Sequence, residues 1–259
     1  MKNFTNGLHP LFQDVSLGSR LEFLVWNMKL NRRFLTGAAL LTTLQLVSAG
    51  DITGKITLKG TPPPERDLPL DPACGKIHPT KKTRLYVVGK NGELADTLIC
   101  VTKGLEGKDF PVPDKPHLVD QVGCEYVPYV SAVMANQKIL VRNSDPVLHN
   151  VHPIPAVKGN EEKNIAQLPK GKDLEFTFAK EEQFLRFKCD VHPWMFSYVT
   201  VLNHPFHAVS ETDGTFKIEN LPAGKYTIEA NHRKAGKQTM EVEVPATGNK
   251  EANFSFDVK

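Results

Sequence analysis

The chain has 259 residues, of which 40% are hydrophobic and 24% charged, with 18 glycines and 19 prolines. That composition gives one or two globular domains with room for a real core, and it excludes a disordered or collagen-like chain. A net charge of +3 with no dense basic run excludes a nucleic-acid footprint, and four cysteines are too few for a disulfide-dense scaffold.

The N-terminal part reads as an address. Lys29, Arg32 and Arg33 follow Met28, an apolar stretch runs from Phe34 to Val47, and Val47 and Ala49 stand at the −3 and −1 positions of a small-residue cleavage site. Export to the periplasm or the cell exterior is therefore expected. The stretch is shorter than the roughly 20 residues of a membrane span, so no integral span is expected in the mature chain; a signal anchor or a buried helix is the competing reading. No cysteine follows the stretch to carry a lipid. Arg32-Arg33-Phe34-Leu35 hints at a twin-arginine signal, but the residue that normally separates the arginine pair from Phe-Leu is missing, which favours a Sec-type signal. Residues 1–27, ahead of Met28 as the start, read as an over-extended gene start or a long n-region. Without residues 1–49 the chain carries 27 basic and 27 acidic residues, so electrostatic steering must come from local patches.

The remainder reads as strands and turns. Ile52 to Leu58 form a first strand, ended by Gly60 and Pro62-Pro63-Pro64. Residues 65–83 read as a polar loop holding Cys74. Leu85–Gly89 and Leu98–Val101 read as strands around a turn at Lys90-Asn91-Gly92, and residues 103–120, with Pro111, Pro113 and Pro116, as a loop or crossing. Strands follow at 132–134, 138–143, 174–178, 183–187 and 198–202, then at 215–218, 225–230, 240–244 and 253–256. Several alternate apolar and polar residues, the period of half-buried antiparallel strands, and no segment sustains a helical period. The predicted class is all-β, built as β-sandwiches.

Cys189-Asp190-Val191-His192-Pro193-Trp194-Met195 carries the chemistry. It offers a thiolate, an imidazole and a thioether, and two histidines and a cysteine with a weak axial methionine make an electron-transfer copper site. Soft sulfur suits Cu(I) and imidazole suits both oxidation states, so such a set limits reorganisation when an electron moves. The second histidine must come from another strand, because one tight loop cannot surround an ion. His149, in Asn143-Ser144-Asp145-Pro146-Val147-Leu148-His149-Asn150-Val151, is the candidate. Taken singly, a cysteine in a strand is usually a small buried hydrophobe, a lone histidine a surface or hydrogen-bonded residue, and Met195 core. A binuclear copper site would want a second cysteine four residues before Cys189, where Leu185 stands. A catalytic zinc site would keep an open position and use no methionine. His78, His152, His204, His207 and His232 read as solvent-facing or structural, His152 pointing to the opposite strand side from His149.

From these residues, the stretch from Tyr126 to Asn203 resembles the cupredoxin family of blue-copper proteins, amicyanin- or plastocyanin-like, in which a first histidine followed by asparagine joins ligands from a later loop. The resemblance implies a Greek-key β-sandwich holding one copper ion in a type 1 site, with His149, Cys189 and His192 as equatorial ligands and Met195 as the axial one. It implies that Asn150 ties the two ligand loops together near the thiolate, and that the edge of His192 meets solvent. Pro193 removes one N–H donor from the loop. Trp194 reads either as part of an apolar docking patch or as ordinary loop packing.

Residues 212–228 form a patterned hairpin with turns at Asp213-Gly214 and Pro222-Ala223-Gly224. They resemble the transthyretin-like regulatory domain of carboxypeptidases, whose opening strand fits Gly50–Ile56, about 160 residues upstream. One sandwich split over residues 50–110 and 206–259, with a cupredoxin domain at 111–205 inserted, is expected; two sequential domains with a short N-terminal unit are the alternative. Of the other cysteines, Cys74 and Cys124 sit in loop contexts and are favoured as a disulfide, with Cys100 buried and free; three pairings are open to three thiols.

The function expected from these readings is exported single-electron carriage by one copper ion cycling between Cu(I) and Cu(II), toward a redox protein such as a cytochrome or a dehydrogenase. No paired carboxylates or nucleophile triad speak for an enzyme. A copper carrier or sensor, or a surface β-sandwich interaction protein with incidental copper, are the alternatives.

Overall fold

The computed structural model describes residues 48–259; residues 1–47, and with them the N-terminal extension and most of the predicted signal peptide, lie outside them. In chain order the first elements are β1 (Ala49–Lys59), α1 (Pro72–Ile77), β2 (Thr97–Lys103), β3 (His117–Gln121), β4 (Tyr126–Val127), β5 (Val130–Met134) and β6 (Ile139–Asn143). Then come β7 (His149–Ile154), β8 (Ile165–Gln167), β9 (Leu174–Phe176), β10 (Glu182–Lys188), β11 (Phe196–Leu202) and β12 (His207–Val209). The last are β13 (Thr215–Pro222), β14 (Gly224–His232), β15 (Gly236–Val244), β16 (Asn249–Glu251) and β17 (Phe254–Asp257). Among the described residues no helix is long and apolar enough to cross a membrane.

The strands make four sheets. In one, β1 lies between β13, antiparallel, and β16 and β17, both parallel. A second runs β12-β2-β14-β15. Ile52 and Ile56 of β1, Phe216 and Ile218 of β13 and Phe254 of β17 share a core with Ile99 of β2, Tyr226 and Ile228 of β14 and Val242 of β15. The first described strand thus packs with strands lying between residues 215 and 257. Sheets β4-β3-β6-β9 and β5-β11-β10-β7-β8 enclose a second core around Val119, Ile139, Val141, Val151, Leu185, Phe187 and Val199. A small third cluster joins the two halves, with Leu98 and Cys100 of β2 against Val130, Ala132 and Leu202. Burial pushes the Cys100 thiol up to about 12, so it stays a protonated core hydrophobe.

Three local expectations need correction. Leu85–Gly89 is not a strand: Glu65 takes the backbone N–H groups of Leu85 (2.8 Å) and Tyr86 (3.0 Å) that a ladder would have used, leaving one bridge at Val88. The polar loop 65–83 contains α1, which Asp71 caps by accepting the Cys74 N–H at 2.7 Å and which Pro72 opens. Six residues are too few to sustain a visible helical period. The Pro-rich stretch 103–120 ends in β3, which pairs in parallel with β6; its Leu118-Val119-Asp120 is short and lies beyond the last proline. Leu70, Cys74 and Ile77 pack in the second core, although they precede β2 in the chain.

Two positions test this packing. A Cβ on Gly54 would collide with the carbonyl oxygen of Ala252 and meet the Phe216 ring at 2.7 Å. Gly54→Ala is therefore expected to lower stability by about 1–3 kcal/mol in urea unfolding, the usual cost of overpacking. His232 accepts at Nδ1 the N–H groups of Lys234 (3.2 Å) and Ala235 (3.1 Å) at the β14–β15 turn, and its ring stacks on Tyr86. Burial, opposed by Asp96 and reinforced by Arg233, pushes its pKa down to about 4 from 6.5. The unfolded chain takes this proton near pH 6.5 and the folded one only near pH 4. The stabilisation is thus present above pH 6.5 and lost as pH falls toward 4, by up to about 3 kcal/mol. Urea midpoints over that range should fall more steeply for the wild type than for His232→Gln.

Candidate metal centre

Strand alternation aims the ligand candidates inward. On β10 the side chains of Leu185 and Phe187 face the core, so Cys189, two residues further, faces it as well. On β7 Val151 is inward, and His149 two residues before it follows. Because β10 pairs with both β7 and β11, the 189–195 hairpin loop lies beside the start of β7. One ligand atom each from His149, Cys189 and His192 falls within a 4.8 Å group, and the three residues are 0, 1 and 2% exposed. The Nδ1 atoms of His149 and His192 are 3.0 Å apart, and Cys189 Sγ lies 3.6 Å from His192 Nδ1. Met195 is wholly buried in the same core, and the loop is closed by N–H donation from Cys189 to its carbonyl (3.0 Å) and from Met195 to that of His192 (2.8 Å).

Asn150 joins the two loops. Its Oδ1 accepts the N–H groups of Asp190 (2.5 Å) and Val191 (3.4 Å), while its own backbone N–H points at Cys189 Sγ (3.4 Å). Pro193 is exposed and supplies no N–H. His152, three residues beyond His149, lies outside the group and bonds Asp190 and Glu162, each at 2.7 Å. Trp194 is half-buried, donates its indole N–H to the Cys124 carbonyl at 3.3 Å and lines a cavity of about 420 Å³ with Tyr126, Tyr129 and Phe196.

The exposed edge expected for His192 is absent. Its Nε2 bonds the Asp71 carboxylate at 2.9 Å, and the segment around α1 covers the ring. The covering segment is covalently tied, since Cys74 of α1 is joined to Cys124. His149 has the same arrangement, its Nε2 bonding Asp145 at 2.9 Å. Asp145 in turn accepts the N–H groups of Gly123 (2.6 Å) and Cys124 (2.7 Å). Sequence reading missed both carboxylates. Asp145 had a signal, four residues ahead of a histidine already picked as a ligand, where an outer carboxylate partner is common. Asp71 had none, being 121 residues from His192.

The surroundings lower the pKa of the Cys189 thiol. Burial pushes the Cys189 thiol up, but hydrogen bonds from His149 and from the N–H groups of Asn150, His192 and Val191 outweigh it, and its pKa falls below the ordinary thiol value. Burial likewise pushes His149 down, and Asp145 with the Cys189 sulfur reverses this to a net rise. His192 stays lowered by burial and by the neighbouring His149, against the pull of Asp71. One cysteine sulfur and two imidazoles presenting Nδ1, with a buried thioether in the loop that carries the sulfur, are soft and borderline donors of the kind that suit copper.

No known family profile and no curated protein match the sequence. Among solved structures, part of the chain is similar to an oxidised amicyanin mutant, at 23% identity and a TM-score of 0.31, covering 35% of this chain and 85% of that one. A Cu(I) amicyanin mutant is 20% identical with a TM-score of 0.31, over 41% of this chain and 98% of that one. A Cu-containing nitrite reductase from Thermus scotoductus SA-01 is 22% identical with a TM-score of 0.32, over 40% of this chain and 25% of that one.

Proposed function

We propose that this chain is an exported mononuclear copper protein that carries single electrons. The observation behind the reading is the buried meeting of His149 Nδ1, Cys189 Sγ and His192 Nδ1, drawn from two loops of one sandwich. Those three would hold the ion, with the thioether of Met195 as the weak axial donor. The bound copper would supply the chemistry, alternating between Cu(I) and Cu(II). The protein's own part is to keep the donors in place in both states and to exclude water, which burial and the carboxylate-held imidazoles do. No bond of a substrate is made or broken, so the role is carriage, not catalysis, and the counterpart is a redox protein such as a cytochrome or a dehydrogenase. In the same reading residues 50–110 and 206–259 form one transthyretin-like sandwich, apart from the segment around α1 that packs in the second core, and carry the copper domain, residues 111–205, as an insertion. The absorption spectrum of the copper-loaded mature chain tests the site: an intense blue band is expected, and a colourless protein with full copper occupancy overturns it.

A further inference from the structure

Both candidate imidazoles turn Nδ1 toward the site and Nε2 toward a carboxylate, but the two carboxylates arrive differently. Asp145 lies on the loop that leads into His149. Asp71 comes from a remote segment, and its two oxygens have separate duties: Oδ1 caps α1 through the Cys74 N–H, and Oδ2 holds His192 at 2.9 Å. The disulfide spans the outer sides of both pairs. Cys74 Sγ groups with donor atoms of Asp71 and His192, and Cys124 Sγ with those of Asp145 and His149, each set within 4.8 Å.

We propose that Asp71 is a positioning residue for His192, and that the segment carrying it, latched by the Cys74–Cys124 bond, is a cover over the imidazole edge through which electrons would otherwise pass directly to a docked partner. The inference rests on the copper reading above. A carboxylate at Nε2 keeps the proton there and the lone pair on Nδ1, the atom that faces Cys189, and raises the basicity of the ring as a ligand. The same contact leaves His192 2% exposed, so neither water nor a protein surface reaches its edge. Electron exchange must then use another wall of the site or wait for the cover to lift.

The test separates the two duties of Asp71 in the full mature chain. Asp71→Ser keeps a good helix cap but is too short to reach His192. In the copper-free protein, long-range proton–nitrogen spectra should show a slowly exchanging Nε2–H on His192 in the wild type and its loss in Asp71→Ser. Asp71→Ser should weaken copper binding about 10–100-fold, the usual cost of losing an outer partner of a metal-bound histidine. Asp71→Ser and the double variant Cys74→Ser/Cys124→Ser should both exchange electrons with a small inorganic complex faster than the wild type. A blue wild type whose Asp71→Ser variant matches it in proton exchange, copper affinity and electron-exchange rate overturns the proposal alone. A wild type that forms no coloured copper complex overturns the underlying reading and the proposal with it.

Discussion

On the proposed copper reading, replacing Cys189 by serine is expected to abolish the blue colour of the copper-loaded protein completely and to weaken copper binding beyond the 10–100-fold typical of an outer partner. The colour and the affinity for Cu(I) both depend on a thiolate, which a hydroxyl cannot replace: it is harder, and it stays protonated at neutral pH. The Asn150 N–H at 3.4 Å and hydrogen bonding from His149 lower the pKa of Cys189. Serine is close to cysteine in size and can bond the same neighbours, so the fold should persist and the loss be specific. Visible absorption and copper titration against a competing chelator read both effects. A variant that binds copper as tightly as the wild type would remove Cys189 from the ligand set.

Removing the Cys74–Cys124 bond by the double serine variant is expected to cost about 4 kcal/mol of stability. The bond closes a loop of about 50 residues, and closure of that length removes this much freedom from the unfolded chain on the entropic account. Both cysteines are wholly buried in the second core, so the folded state gains little from their release. Urea unfolding of the oxidised wild type and of the variant measures the difference, and equal midpoints would mean that the segment around α1 is held by packing alone. Those midpoints also set the denaturant-free range in which the electron-exchange measurements on the same variant report on a folded protein.

How much could be read from the residues depended on whether the information was local. Most strands were visible because their side chains alternate between core and solvent, as Leu185 and Phe187 do against Arg186 and Lys188. The 189–195 loop was visible because three soft or borderline donors stand three residues apart. The 85–89 segment was misread because Leu85-Tyr86-Val87-Val88 is a run of strand-favouring residues, while the N–H groups of Leu85 and Tyr86 are taken by Glu65, twenty residues away. His192 was expected at the surface for a similar reason, since nothing near it in the chain announces Asp71.

Length, charge, the all-β class and the identity of the candidate donors were therefore determined by the sequence itself, through composition, period and short spacing. Tertiary structure alone decided that His149 lies beside Cys189, that β1 sits between β13 and the C-terminal strands, and that a segment preceding β2 closes over His192. Each of these joins residues tens to hundreds of positions apart. Such contacts are chosen by which faces bury together and which polar groups find partners, and no local pattern along the chain records that choice.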